Sequence, residues 1–112
     1  MPIEVWLADR TEAQARAAEA VLAIVKRYRG LVVEAVSVGV LIKRERTIVE
    51  MRPKVRWLDL SFLSTATITS RRIARSLDLP SCKVYYVHLF DDTDVDAELR
   101  RWLATALAPP RR

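Results

Sequence analysis

The sequence predicts a single small α+β domain, with an antiparallel sheet of about five strands and with a long N-terminal helix and a C-terminal helix packed on one sheet face. Three observations lead to this fold class. The chain has 112 residues, the usual size of one domain. The two ends of the chain show helical periodicity, and the segment between them has the pattern of successive strands. This order favours α+β over alternating α/β. We assign residues 1–108 to the domain and 109–112 to a basic tail.

The N-terminal helix is expected over 11–29, after a possible short helix that follows Pro2. Thr11 offers an N-cap oxygen, and Gly30 is a natural left-handed stop. Apolar residues recur at three- and four-residue spacing between these two points and therefore share one helix face. They are Ala17, Ala20, Val21, Ile24 and Tyr28.

Four segments are predicted to form strands, and the conformation of one polar segment is left undecided. Residues 31–42 are rich in Val, Leu and Ile, with Gly39 as a bend, and 47–52 follow a charged turn. Pro53 marks a second turn before 55–63, the most regular alternation in the chain, and 84–90 is β-branched and aromatic. The segment 64–81 is compatible with a short helix or with extended chain.

The C-terminal helix is expected after the acidic cluster 91–96 and before Pro109. From Asp92 the cluster has the spacing of a calcium loop, but Ala97 and Leu103 occupy the positions that require Gly and Glu. Helix capping is therefore the favoured role. Cys82 is the only cysteine, and two glycines are too few for a phosphate-binding loop. We expect no metal site and no cofactor.

Side-chain alternation separates an apolar sheet face from a mixed face. The apolar face should lie under the helices, whereas the other face combines aromatic rings, paired charges and the only histidine. Such a mixture is typical of an interface or a ligand site rather than of a simple solvated surface. The candidate ligand-binding residues are Glu50, Arg52, Trp57, Asp59, Tyr86 and His88.

Three functions compete for this face. The first is a binding module for a small anionic or aromatic ligand or for a second copy of the chain in a homodimer. The second is a small enzyme in which His88 is the catalytic acid or base, oriented by Asp59 or Glu50, and Arg52 anchors an anionic substrate group. A structural histidine is the commoner case, because no nucleophile motif accompanies it. The third is weak nucleic-acid binding.

Charge and hydropathy limit the partners. The net charge of +5 favours non-specific attraction to polyanions. Glu45, Glu50 and Asp59 interrupt the arginines, and no nucleic-acid-binding motif is present, so we expect nucleic acid not to be the main partner. No apolar run is long enough for a membrane span, and the N-terminus lacks a secretory signal pattern. A cytoplasmic protein is the expectation.

Several motifs together resemble a family of small bacterial domains of unknown function. The resemblance covers about 11–107 and consists of a Lys/Arg-rich turn followed by four segments. These are Arg52-Pro53-Lys54, WLDLSF at 57–62, YVHL at 86–89 and DVDAELRRWL at 94–103. The family is similar in element order to frataxin-like and TATA-box-protein-like α+β domains, so the resemblance implies this fold but no activity.

Overall fold

The computed structural model describes residues 1–109 and contains three α-helices, six strands and one short 3₁₀ helix within that range. Pro109 is thus the only described residue of the predicted basic tail, and the rest lies outside the described residues. In chain order the elements are α1 Ile3–Ala8, α2 Glu12–Val25, β1 Val32–Val36, β2 Gly39–Lys43, β3 Thr47–Pro53, β4 Leu58–Ser64, β5 Ile73–Asp78, β6 Lys83–Leu89, the 3₁₀ turn Asp92–Asp94 and α3 Ala97–Leu107.

The six strands form one sheet in the order β1-β2-β3-β4-β6-β5, with every neighbouring pair antiparallel. Hairpins connect β1 to β4 in sequence. The chain then passes beyond the position of β6 to form the edge strand β5 and returns to pair β6 with β4. The centre of the sheet is therefore β3, β4 and β6, the three strands that carry the mixed face.

Helices α2 and α3 cover one face of the sheet and build the core with it, as the alternation predicts. Met51, Leu60 and Val87 on the central strands are fully buried, as are Val21 of α2 and Leu103 of α3. Thr11 caps α2 in a reciprocal capping box with Gln14. Gly30 has a φ of 78°, a left-handed conformation that favours glycine, but it lies five residues beyond Val25 and is not the residue that ends α2.

The structure corrects the predicted strand count and several boundaries. Residues 31–42 form two strands, because the chain reverses at Ser37 and Val38 instead of bending at Gly39. The open segment 64–81 contains strand β5, so the sheet has six strands rather than about five. Helix α2 ends at Val25, before 29, and β4 begins at Leu58, so Trp57 belongs to the preceding turn.

Hydrogen bonds explain the corrected boundaries. The Lys54 N–H donates to the Trp57 carbonyl over 2.8 Å and closes the turn between β3 and β4 before the strand can begin. The last turn of α2 changes to three-residue spacing, with the Tyr28 N–H donating to the Val25 carbonyl over 3.0 Å. Among the described residues no helix has both the length and the apolar character needed to cross a membrane.

Candidate ligand-binding site on the sheet

Strand register brings five of the six predicted site residues, all except Trp57, together in two adjacent cross-strand rows on the face away from the helices. The first row pairs Arg52 with Asp59 and Asp59 with His88. The second row joins Glu50 to Ser61, Ser61 to Tyr86 and Tyr86 to Arg75 on the edge strand. Directly opposed side chains in a sheet lie within interacting distance. The mixed face is therefore a continuous polar surface across four strands.

A small polar pocket of about 140 Å³ lies on these two rows. We call it the sheet pocket. Four of the predicted residues line it, namely Glu50, Arg52, Asp59 and Tyr86. The other lining residues are Lys54, Ser61 and Arg75. Its volume is below that of pockets for drug-sized ligands, so the sheet pocket suits a ligand of only a few non-hydrogen atoms.

The charges around the sheet pocket are unequally satisfied. The Arg52 Nε lies 2.8 Å from the Glu50 Oε1, so these two charges neutralise each other. The Arg75 guanidinium lies over the Tyr86 ring, with its carbon 3.9 Å from the ring centroid. Neither Lys54 nor Arg75 forms an ion pair with any carboxylate among residues 1–109. Two cations are thus available to an anion at this site.

His88 and Trp57 lie beside the sheet pocket and do not line it. Their rings stack, with centroids 4.4 Å apart and planes 27° apart, and the exposed Phe90 approaches the Trp57 ring at 6.1 Å. The His88 Nε2 is 3.8 Å from the Asp59 Oδ1, which exceeds the length of a hydrogen bond. His88 and Trp57 are thus the two predicted site residues that lie outside the sheet pocket, and they form an aromatic border beside it.

Gln14 of α2 fixes the turn that carries Lys54 and Trp57. This side chain is 5 % exposed, and its Nε2 donates to the Lys54 carbonyl over 2.7 Å and to the Trp57 carbonyl over 3.1 Å. The contact joins residues 40 positions apart or more. A buried amide that bonds two carbonyls holds the backbone of the turn in one conformation. The position of Lys54 at the pocket thus depends on a residue of the helix layer.

The strongest charge pairing lies away from the sheet pocket. The Nε and Nη2 atoms of Arg16 in α2 each donate a hydrogen bond of 2.9 Å to the Asp91 carboxylate. These bonds, with the backbone N–H of Asp92, hold the pKa of Asp91 well below its usual range. Arg72 bonds Asp96 over 2.7 Å, and the Leu99 N–H bonds the same carboxylate and lowers the pKa of Asp96. Asp91 and Asp96 thus connect the segment before α3 to Arg16 of α2 and to Arg72 before β5.

The pocket residues that were not among the predicted site residues are Lys54, Ser61 and Arg75. Alternation places Ser61 on the mixed face without giving it a role. Lys54 lies in the turn and has no alternation that would place it on a face. Arg75 belongs to β5, whose conformation the sequence left open. Its spacing of two residues from Ile73 would place Arg75 on the same face as Ile73 in a regular strand. A register shift between them instead pairs Ile73 with Val87 of the apolar face and Arg75 with Tyr86 of the mixed face, so alternation alone could not have located Arg75.

Comparisons of the chain with protein-family models, curated proteins and solved structures found no match. The resemblance to a family of small bacterial domains, and the frataxin-like analogy, accordingly receive no support beyond the sequence motifs. What the structure does show is a small α+β domain with an antiparallel sheet of six strands. The function must be inferred from the surface of that sheet.

Proposed function

We propose that the protein is a binding module whose sheet pocket holds a small hydrophilic anion. The observation that carries this proposal is the presence of Lys54 and Arg75, without ion-pair partners among the described residues, at a pocket that also contains a neutralised Arg52–Glu50 pair. Three cations and two carboxylates line the pocket, so its formal charge is +1. A monoanion matches that charge.

Size and chemistry narrow the ligand further. A pocket of about 140 Å³ takes an anion such as phosphate or a short carboxylate rather than a nucleotide. The contact of the Arg75 guanidinium with the Tyr86 ring restrains this side chain and preorganises its fork of N–H donors for a planar or tetrahedral oxyanion. Asp59 repels a second negative charge at the same site. The ligand class is therefore a compact oxyanion of low charge.

Catalysis by His88 is the less favoured function. A general acid or base must lie within hydrogen-bond reach of the reacting group. His88 borders the sheet pocket without lining it, and its imidazole is covered on one side by Trp57. An aromatic border of this kind suits ligand exclusion or a protein contact better than proton transfer.

The proposal is tested by titrating ¹⁵N-labelled protein with inorganic phosphate, at a pH below its second pKa so that the monoanion predominates, and with formate, both at constant ionic strength. We expect saturable shifts of the amide signals of Asp59, Ser61 and Tyr86. Arg75→Gln should weaken binding about tenfold, the effect of losing one charge-assisted hydrogen bond. Arg101→Gln removes the same charge from an exposed position on α3 and should leave the binding constant unchanged.

Two results would count against this function. One is the absence of saturable shifts at the sheet pocket with either anion. The other is equal weakening by Arg75→Gln and by Arg101→Gln, because that would attribute the binding to overall charge alone.

A homodimer is a second candidate, favoured by the aromatic border of the sheet pocket. Phe90 is 54 % exposed beside Trp57, and Val55 in the turn before Trp57 is 93 % exposed. Exposed apolar side chains close to one another are typical of contact surfaces. Sedimentation equilibrium of the wild type and of Phe90→Ser tests this candidate: a dimer that dissociates in the variant supports it, and a monomeric wild type excludes it.

A further inference from the structure

A second and larger cavity, of about 340 Å³, lies at the end of the sheet where β3 begins and β4 ends. We call it the end cavity. None of its lining residues lines the sheet pocket. Its wall comes from the turn between β2 and β3, from the ends of β3 and β4, from Cys82 and from the last turn of α3. Its volume falls within the usual range for small-molecule sites.

The rim of the end cavity is basic. Arg44, Glu45 and Arg46 form the turn between β2 and β3, and all three side chains line the cavity. Neither arginine forms an ion pair with a carboxylate in the part of the chain that is described. The rim therefore has a formal charge of +1, which favours a monoanion over a dianion or a neutral molecule.

The two arginines differ in how they are held. Arg44 is fixed, because its Nη2 donates to the Leu107 carbonyl over 3.0 Å and to the Arg29 carbonyl over 3.2 Å. Arg46 is exposed, and its Nη2 lies 3.7 Å from the Cys82 Sγ. A thiol sulfur is a weak acceptor. A carboxylate oxygen would give Arg46 a stronger, charge-assisted bond in its place.

The remainder of the wall is largely apolar. Ile48, Leu63 and Ala106 contribute methyl and methylene surface. Two of the three hydroxyls in the wall have partners within the protein, since Ser64 donates to the Ala66 carbonyl over 3.0 Å and Thr105 to the Arg101 carbonyl over 3.2 Å. The third belongs to Thr65, which is exposed. An apolar group can therefore contact the wall at Ser64 and Thr105 without leaving their hydroxyls unsatisfied.

From this combination we propose that the end cavity binds a monocarboxylate with a short aliphatic tail. The carboxylate pairs with Arg46 at the rim, Arg44 adds positive charge beside it, and the tail lies against Ile48, Leu63 and Ala106. This site is separate from the sheet pocket and does not depend on the function proposed for that pocket. It differs from the sheet pocket in ligand chemistry, because the sheet pocket has no comparable apolar wall.

Hexanoate and 1-hexanol are the probes, because they share a tail and differ in charge. We titrate ¹⁵N-labelled protein with each and follow the amides of Leu63, Thr65, Cys82 and Ala106. Hexanoate should give saturable shifts at these four residues with a dissociation constant in the millimolar range. Hexanol should bind at least about tenfold more weakly, as expected for a ligand without the charge-assisted bonds.

Three variants locate the site. Arg46→Gln should weaken hexanoate binding about tenfold and leave hexanol binding unchanged. Arg56→Gln, an exposed arginine in the turn between β3 and β4, is the matched charge control and should have no effect. Ala106→Leu keeps a strong helix former in α3 and fills the cavity, so it should prevent binding of both probes. Arg44 is left intact, because its bonds to two carbonyls also stabilise the fold.

The proposal is overturned by any of three outcomes. These are the absence of saturable shifts with hexanoate, equal affinity for hexanoate and hexanol, and unchanged hexanoate affinity in Arg46→Gln. Shifts that appear at Tyr86 instead of at Ala106 would assign the carboxylate to the sheet pocket and equally exclude the end cavity as its site.

Discussion

Replacing Gln14 by leucine should destabilise the protein and loosen the sheet pocket at the same time. The change removes the two hydrogen bonds to the Lys54 and Trp57 carbonyls, each worth about 1 kcal/mol net, and leaves the Lys54 carbonyl without this donor in a region that leucine keeps dry. It also removes the longer capping-box bond, of 3.4 Å, that the Thr11 N–H donates to the Gln14 Oε1. The Trp57 carbonyl retains the Lys54 N–H as a donor. Leucine has a similar volume, so no large cavity forms. The expected loss of unfolding free energy is about 2–3 kcal/mol.

Urea unfolding followed by circular dichroism at 25 °C measures this loss. For a domain of this size it corresponds to a decrease in Tm of roughly 8–12 °C. Glu19→Leu makes an apolar substitution at an exposed position of the same helix and should change the unfolding free energy by less than about 0.5 kcal/mol. If Gln14→Leu also loses less than this, the two carbonyl bonds do not hold the turn, and the account of how Lys54 is positioned fails.

Three further predictions concern other parts of the molecule. Gly39→Ala should lower the unfolding free energy by about 1–3 kcal/mol in the same urea assay, because the added Cβ would clash with the backbone oxygen of Met51; an unchanged midpoint would contradict that close approach. Asp91→Asn should be less stable than the wild type at neutral pH. Because Arg16 lowers the pKa of Asp91 in the folded state, that difference should be complete above the unfolded-state pKa of about 3.9 and should shrink as the pH falls below it, whereas a difference that grows in acid would reverse the sign of the linkage. Single-stranded DNA should bind only weakly and with strong dependence on salt, as measured by fluorescence anisotropy, and tight binding at physiological ionic strength would make nucleic acid the favoured partner.

Alternation along the central strands was sufficient to predict which residues share the mixed face. Glu50, Asp59 and Tyr86 each lie between two apolar residues that the core requires, so their side chains must point away from the helices. This reasoning needs no knowledge of which strands are neighbours. It therefore placed these three residues of the sheet pocket on one surface before the topology was known.

The features that the sequence left out depend on pairing rather than on pattern. Strand β5 is an edge strand whose residues 74–78 are all exposed, and little hydrophobic alternation is needed there, because pairing with β6 defines the strand. The hairpin between β1 and β2 turns at Ser37 and Val38 without the glycine or asparagine signal of a tight turn. The end cavity could not be predicted from the sequence for a related reason, because it forms where four separate segments of the chain meet.

The alternation of core and pocket residues along β3, β4 and β6 also determines how this protein can change. Under the proposed binding function, a substitution at Glu50, Asp59 or Tyr86 would alter ligand preference without replacing any core side chain. Deletion of one residue within those strands would exchange the two faces and turn carboxylates into the helix layer. Ligand preference on this scaffold is therefore accessible to point substitution, and a library restricted to pocket positions should keep most of its members folded. Insertions and deletions should therefore be tolerated in the turns rather than within these strands.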